Sequence, residues 1–258
     1  AGFRDLDSSL VGSEMCIRDR AKTADPHPQL PGTVFTAADE IREAGGQALP
    51  IVGDIRDEQA VLEAVAKTVE EFGGVDICVN NASAINLANV ETMPVKRYDL
   101  IQSINSRGTF VVSQACIPHL KVAGAGHILT LSPPINLNPR WLGTHAPYTL
   151  SKYGMSLLTL GMAAELDGTG VAANCLWPET TIATAAVKNL LGGDEMIRRS
   201  RTPEIVAEAA YEVLAKDPRA ATGQCFIDSE VLAEAGGFDL DSYAVEPGLD
   251  LYPDVFLD

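Results

Sequence analysis

The chain has 258 residues, with 19 Lys+Arg against 35 Asp+Glu and a net charge of −16. It is long enough for one large α/β domain with a full core. So acidic a surface argues against nucleic acid and anionic membranes as partners, and no run approaches the ~18 apolar residues of a membrane span.

Residues 1–20 do not read as the start of a domain. Arg4-Asp5-Leu6-Asp7 and Arg18-Asp19-Arg20 are charge-dense, and Leu10-Val11 and Met15-Cys16-Ile17 are too short to count as elements. No basic stretch with an apolar block marks a secretory leader. Residues 23–31 hold three prolines and read as loop. Ala37, Ala38, Ile41 and Ala44 suit one helical face, stopped by Gly45-Gly46. Residues 48–55 then form a short apolar strand that ends near Asp54.

Val61, Leu62, Val65, Val69 and Phe72 repeat at helical spacing, closed by Gly73-Gly74. Residues 75–79 predict a buried strand running into Asn80-Asn81-Ala82-Ser83, and 96–121 one long helix containing Asn105. A strand over 127–131 stops at Ser132-Pro133-Pro134. A helix over 147–167 follows, then a strand over 171–177 cut by Pro178, two helices near 184–199 and 203–215, and a last strand over 223–227. Residues 230–258 read as an acidic tail with little pattern. Short strands alternating with longer helices predict a doubly wound α/β fold with a parallel sheet. Ligands in such folds bind beyond the carboxyl ends of the strands, where Asp54, Asn80-Asn81, Ser132 and Pro178 all fall.

The five cysteines, Cys16, Cys78, Cys116, Cys175 and Cys225, show no Cys-x-x-Cys, and most sit in apolar runs. They read as buried thiols of a reducing compartment, not as disulfides. His27, His119, His127 and His145 lack metal-ligand spacing, so no metal site is expected.

Tyr148 and Lys152 stand four apart and lie one above the other on a helix face. An ammonium beside a phenol favours the phenolate. An ordinary Tyr needs a drop of roughly 3 units, about 4 kcal/mol, to exchange protons near neutral pH.

Together these residues resemble the short-chain dehydrogenase/reductase family. Asn80-Asn81-Ala82-Ser83 is similar to its Asn-Asn-Ala-Gly turn, Asn105 to its helix asparagine, and Tyr148 with Lys152 to its catalytic pair. The order and separations match from about residue 21 to 229. Residues 21–28, 132–139 and Leu176-Trp177-Pro178 narrow the likeness to one branch. The resemblance implies a single Rossmann-like domain that passes a hydride between a nicotinamide and a substrate carbon. Tyr148 would move the proton on the substrate oxygen, Lys152 would lower its pKa and hold the nicotinamide ribose, and Asn105 would hold a water. Asp54 would meet the adenine, Asn81 and Pro178 would flank the cofactor, and Ile182 would reach the nicotinamide amide. Lys22 would meet a 2′-phosphate, which favours NADP over NAD. A homo-oligomer built through the long helices is implied as well, in the cytoplasm or, in a eukaryote, a peroxisomal or mitochondrial matrix.

Three departures stand out. The family serine after Ser132 is Pro133, which has no donor to offer a substrate, so Ser132 is the substitute. The family Pro-Gly is Pro178-Glu179, with Thr180 to Thr184 one residue longer. Third, no Thr-Gly-x-x-x-Gly-x-Gly turn precedes Ala21; within residues 1–20, Gly2 and Gly12 stand alone. Residues 1–20 therefore read as a non-family segment, and 21–258 as a family domain lacking its first, central strand. The expected function is NAD(P)-dependent interconversion of a carbonyl and a secondary alcohol on an apolar small molecule, with Ile135, Leu137, Trp141 and Leu142 lining the pocket. The rival is a non-catalytic or unstable remnant that has lost its cofactor cradle; a sugar-nucleotide epimerase, which shares Tyr-x-x-x-Lys, is disfavoured because no substantial substrate domain follows residue 229.

Overall fold

The computed structural model describes residues 14–17 and 33–258. All strand pairing among them is parallel, in two sheets. In the smaller, β1 (Glu14–Ile17) lies along β2 (Gln47–Pro50), in register from Glu14↔Gln47 to Ile17↔Pro50. In the larger, β3 (Ile77–Asn80), β4 (Gly126–Leu131), β5 (Val171–Trp177) and β6 (Cys225–Ile227) follow in sequence order. The strand at β1 corrects the expectation of no element before residue 21. Four residues carry no period of their own, and pairing along β2 is what makes them a strand.

Helices join the strands and close where the sequence closes them. Thr33 caps α1 (Val34–Glu43) reciprocally with Thr36. Asp57 caps α2 (Glu58–Phe72) by accepting from Ala60 N–H. The single long helix expected over 96–121 is two, α3 (Val95–Ile104) and α4 (Ser106–Ala123), broken at Asn105 with ψ −79°. A short α5 (Pro139–Thr144) precedes α6 (Ala146–Glu165). Beyond β5, the expected helix over 184–199 is a π-helical turn, Val187–Gly192, leading into α7 (Gly193–Arg198), and then comes α8 (Glu204–Leu214). The tail is far from patternless: it holds α9 (Asp228–Ala235), a 3₁₀ turn (Leu240–Tyr243) and a strap over 252–258 that returns to the site.

Both faces of the larger sheet are covered. Leu120, Ile128, Leu166 and Ala173 pack between one face and α4/α6. Leu129, Leu176, Ile205, Val213 and Leu232 pack between the other face and α8/α9. β5 is buried along its whole length, as a central parallel strand should be. β3 is different: Cys78 and Asn80 are buried, while Ile77 and Val79 stay exposed. Among the described residues β3 is an edge, and its pairing runs only to β4.

Candidate functional site

A third cluster, largely aromatic, sits beyond the carboxyl ends of the strands: Ile101, Trp141, Tyr148, Tyr153, Trp177 and Phe256. Tyr148 and Lys152 enter it from the first turns of α6, with both side chains buried. α6 reaches this position because Gly154 faces Ser106; a Cβ there would lie 2.9 Å from the Ser106 Cβ.

The close approach lets Ser151 meet the break between α3 and α4. Asn105 is fully buried; its Oδ1 accepts from Ala84 N–H (2.7 Å), and its Nδ2 donates to Ala84 O (3.0 Å) and Ser151 Oγ (2.9 Å). Ser151 Oγ in turn donates to Tyr148 O (2.8 Å). The Asn105 side chain thus ties the loop after β3 to the backbone of Tyr148. On the other side, Lys152 Nζ donates to Leu131 O at the end of β4 (2.8 Å) and lies 5.0 Å from the Trp177 ring centroid. Ser132 follows directly, buried, with its hydroxyl unpartnered.

The electrostatics run against the expected depression of the phenol. Burial raises the Tyr148 pKa above its ordinary value, and the negative charge of Asp254 adds to the rise. Burial lowers Lys152 to about 8, partly offset by Asp254 and Cys175. In this closed arrangement desolvation is the dominant influence on both groups.

The residues expected to meet a cofactor divide. Pro178 is buried directly after β5, and Ile182 bridges Arg201 and packs into the cluster under α8. Asp54 follows β2 and is gripped by the Arg56 guanidinium. Asn81 is exposed, whereas its neighbour Asn80 is buried and donates to Ser113 Oγ (2.9 Å) and Thr130 Oγ1 (3.3 Å). Lys22 lies outside the described residues. Lys152 and the buried, unpartnered hydroxyl of Thr180 are groups suited to hold a polar ligand. No group of three or more His, Cys, Asp or Glu suited to a metal occurs among the described residues.

Sequence reasoning missed the strap. Thr181 N–H donates to Tyr252 O (2.9 Å), Asp254 N–H to Glu179 O (2.9 Å) and Trp177 Nε1 to Val255 O (3.0 Å). Phe256 is completely buried against Trp141, His145, Tyr148, Tyr153 and Trp177. The Asp254 carboxyl is pushed up to about 7 by burial, against the pull of the Val255 N–H and Lys152. His145 was also missed: it is buried, stacks on Tyr148, and has both ring nitrogens unpartnered. Of the residues expected to line the pocket, Ile135 and Trp141 join the cluster, while Leu137 and Leu142 remain exposed.

A family model described as short chain dehydrogenase matches residues 30–193. The chain belongs to the short-chain dehydrogenase family. Hydroxysteroid dehydrogenase-like protein 2 of Danio rerio is 55% identical over 253 residues, 98% of this chain and 60% of that protein. The chain thus spans about 60% of the length of that curated relative. A crystal structure of a short chain dehydrogenase from Mycobacterium thermoresistibile is 57% identical, with a TM-score of 0.90 over 98% of this chain and 90% of the other. A gluconate 5-dehydrogenase from Burkholderia cenocepacia, solved with NADP and tartrate, shares the fold at 24% identity, with a TM-score of 0.70 over 86% of this chain and 87% of that one. Members of the family typically bind NAD(P). No helix among the described residues is long and apolar enough to cross a membrane.

Proposed function

We propose that this chain interconverts a carbonyl and a secondary alcohol on an apolar small molecule, with Tyr148 as the acid/base. The observation that supports it most is the pair of ties around Tyr148. Asn105 fixes its backbone through Ser151, and Lys152, one turn on, is anchored beside Ser132. Lys152 and Thr180 would hold the nicotinamide end of the cofactor. NADP is favoured by Lys22 and by analogy with the gluconate 5-dehydrogenase neighbour. When bound, the nicotinamide supplies or accepts the hydride.

In the reducing direction, Ser132 Oγ and Tyr148 Oη orient the substrate oxygen. The carbon gains the hydride, and Tyr148 gives its phenolic proton to the oxygen, which completes the hydroxyl. The resulting phenolate is balanced by the Lys152 ammonium, and Asn105 keeps the helix from moving under it. Oxidation runs the same transfers backwards.

The test is Tyr148→Phe in a chimera that carries a relative's first strand and glycine turn ahead of Ala21. Turnover should fall by roughly 10³-fold, while NADPH affinity stays near the parent's. Near-parental turnover in the Phe variant would remove Tyr148 from the chemistry. We also propose that two copies pair through α4 and α6, where Phe110, Leu150 and Leu157 are exposed. A monomer by light scattering at micromolar concentration would refute the pairing. The thiols of Cys78, Cys116, Cys175 and Cys225 are free, which suits a reducing cytoplasm or organelle matrix.

A further inference from the structure

A phenol that exchanges a proton with a substrate needs an open approach, and Tyr148, 4% exposed, has almost none. What closes it is the chain itself. The Phe256 ring lies 6.2 Å from Tyr148 and 5.7 Å from His145, tilted only 27° and 25° from them. Trp141, Tyr153 and Trp177 close the other sides at steeper tilts of 53° to 57°. This is a slot shaped for a compact ring, next to the group expected to do the chemistry.

Two features mark Phe256 as a stand-in and not as ordinary core. Its backbone is left-handed (φ 79°), the one such residue besides glycine among those described, and that conformation is costly for a residue with a Cβ. The slot also leaves polar groups unanswered. Both nitrogens of His145, which stacks on Phe256, are buried without partners, although buried polar groups are normally paired. A phenyl ring cannot satisfy them; the oxygen of a carbonyl or alcohol can. Besides the inner bonds of Asp254 to Glu179 and of Val255 to Trp177, the strap is fastened at its rim. The exposed Asp258 carboxylate accepts from Asn136 Nδ2 (2.9 Å), Asn138 Nδ2 (3.3 Å) and Trp141 Nε1 (3.1 Å), and Phe256 O accepts from Asn136 Nδ2 (3.1 Å). Water can compete for such bonds.

We propose that residues 254–258 are an intramolecular occupant of the substrate seat: the Phe256 ring stands where a compact ring-bearing ketone or secondary alcohol binds, and that compound enters by displacing the strap. This rests on the oxidoreductase reading of Tyr148 and adds to it a substrate class and a built-in competitor. Displacement would also remove both causes of the raised Tyr148 pKa, burial and the charge of Asp254.

The chain's two tryptophans, Trp141 and Trp177, both touch Phe256, so their fluorescence reports occupancy of the slot directly. The experiment titrates the full chain, without cofactor, with trans-1-decalone and with 2-decanone, two ten-carbon ketones of which only the first is a rigid ring system. Removing a competitor strengthens apparent binding by the inverse of the open fraction. Phe256→Ala should tighten decalone binding about tenfold and decanone binding little, and Asp258→Ala, which only unfastens the rim, about threefold. Unchanged decalone binding in both variants overturns the proposal, and an equal gain for decanone overturns the ring class. If Phe256→Ala loses its far-UV dichroism, Asp258→Ala alone decides. No turnover is measured, so a negative result leaves the Tyr148 chemistry standing. An inactive chimera that binds decalone tightly would sink that chemistry and keep the seat.

Discussion

Leu129 and Val79 occupy one rung of the parallel ladder between β3 and β4, and they meet different worlds. Leu129 is fully buried beneath α8; Val79 is 48% exposed. The same contrast separates the two halves of the molecule. Around Tyr148, distant parts of the chain converge: Asn105 from the α3/α4 break, Leu131 from β4, Trp177 from β5 and Phe256 from the strap. Around the residues proposed to meet the nucleotide, Asp54 is held by its near neighbour Arg56, and Asn81 is exposed. A geometry fixed by many long-range contacts tolerates local change better than one held by a near neighbour.

The largest way to break the contrast is to rebuild the weak half. The chain as it stands should bind NADPH no better than millimolar, on the order of −4 kcal/mol. Replacing residues 1–20 with a relative's first strand, glycine turn, helix and second strand should bring micromolar binding, read by NADPH fluorescence. Micromolar binding by the unaltered chain would show that residues 1–20 supply a cradle. Next in size is the rung itself. Leu129→Ala should cost about 3 kcal/mol in urea unfolding and Val79→Ala less than about 1, because only the first opens a cavity. Equal costs would mean that β3 is not an edge in solution.

A smaller effect, about 2 kcal/mol, is expected for Asn105→Ala, which strips Ala84 and Ser151 of their buried partner. Asp54→Ala, losing a partly exposed pair, should cost about 0–1 kcal/mol. One further effect is visible only as a pH trend. Asp254 titrates near 7 in the folded chain against an ordinary value of 3.8. Between those values the folded state binds the extra proton, so its contribution to stability falls as pH rises. Asp254→Asn keeps the acceptor for Val255 N–H and removes the charge. Its advantage over the parent should be nil near pH 4 and grow to about 1–2 kcal/mol above pH 7. Urea midpoints at pH 4.5 and 8 that shift equally would show that Asp254 is ionised throughout.

How much of this could be read from the residues follows from the range of the interactions. β4, β5 and α6 are apolar runs and periods, which act within a few residues, and all three lie where the pattern puts them. The spacing of Tyr148 and Lys152 was equally plain. The break at Asn105 was not, because helical spacing continues across it; its cause is Ala84, 21 residues away. The state of the phenol was hidden for the same reason. It depends on Asp254 and Phe256, about a hundred residues on in a stretch with no period, and on a slot that no local rule assembles.

The edge that β3 forms among the described residues also bears on how the protein behaves in a tube. Exposed Ile77 and Val79 beside a strand paired on one side, among the described residues, offer a template for another molecule's strand. The net charge of −16 keeps copies apart, but only over a distance that salt sets. That distance is about 30 Å at 0.01 M ionic strength and about 3 Å at 1 M. Shelf life is therefore a contest between a short-range adhesive and a long-range repulsion, and ordinary purification steps move its balance. Solutions should stay clear in dilute buffer and turn turbid as sodium chloride is raised. Val79→Lys, which puts a charge on the adhesive itself, should move the onset of turbidity to higher salt.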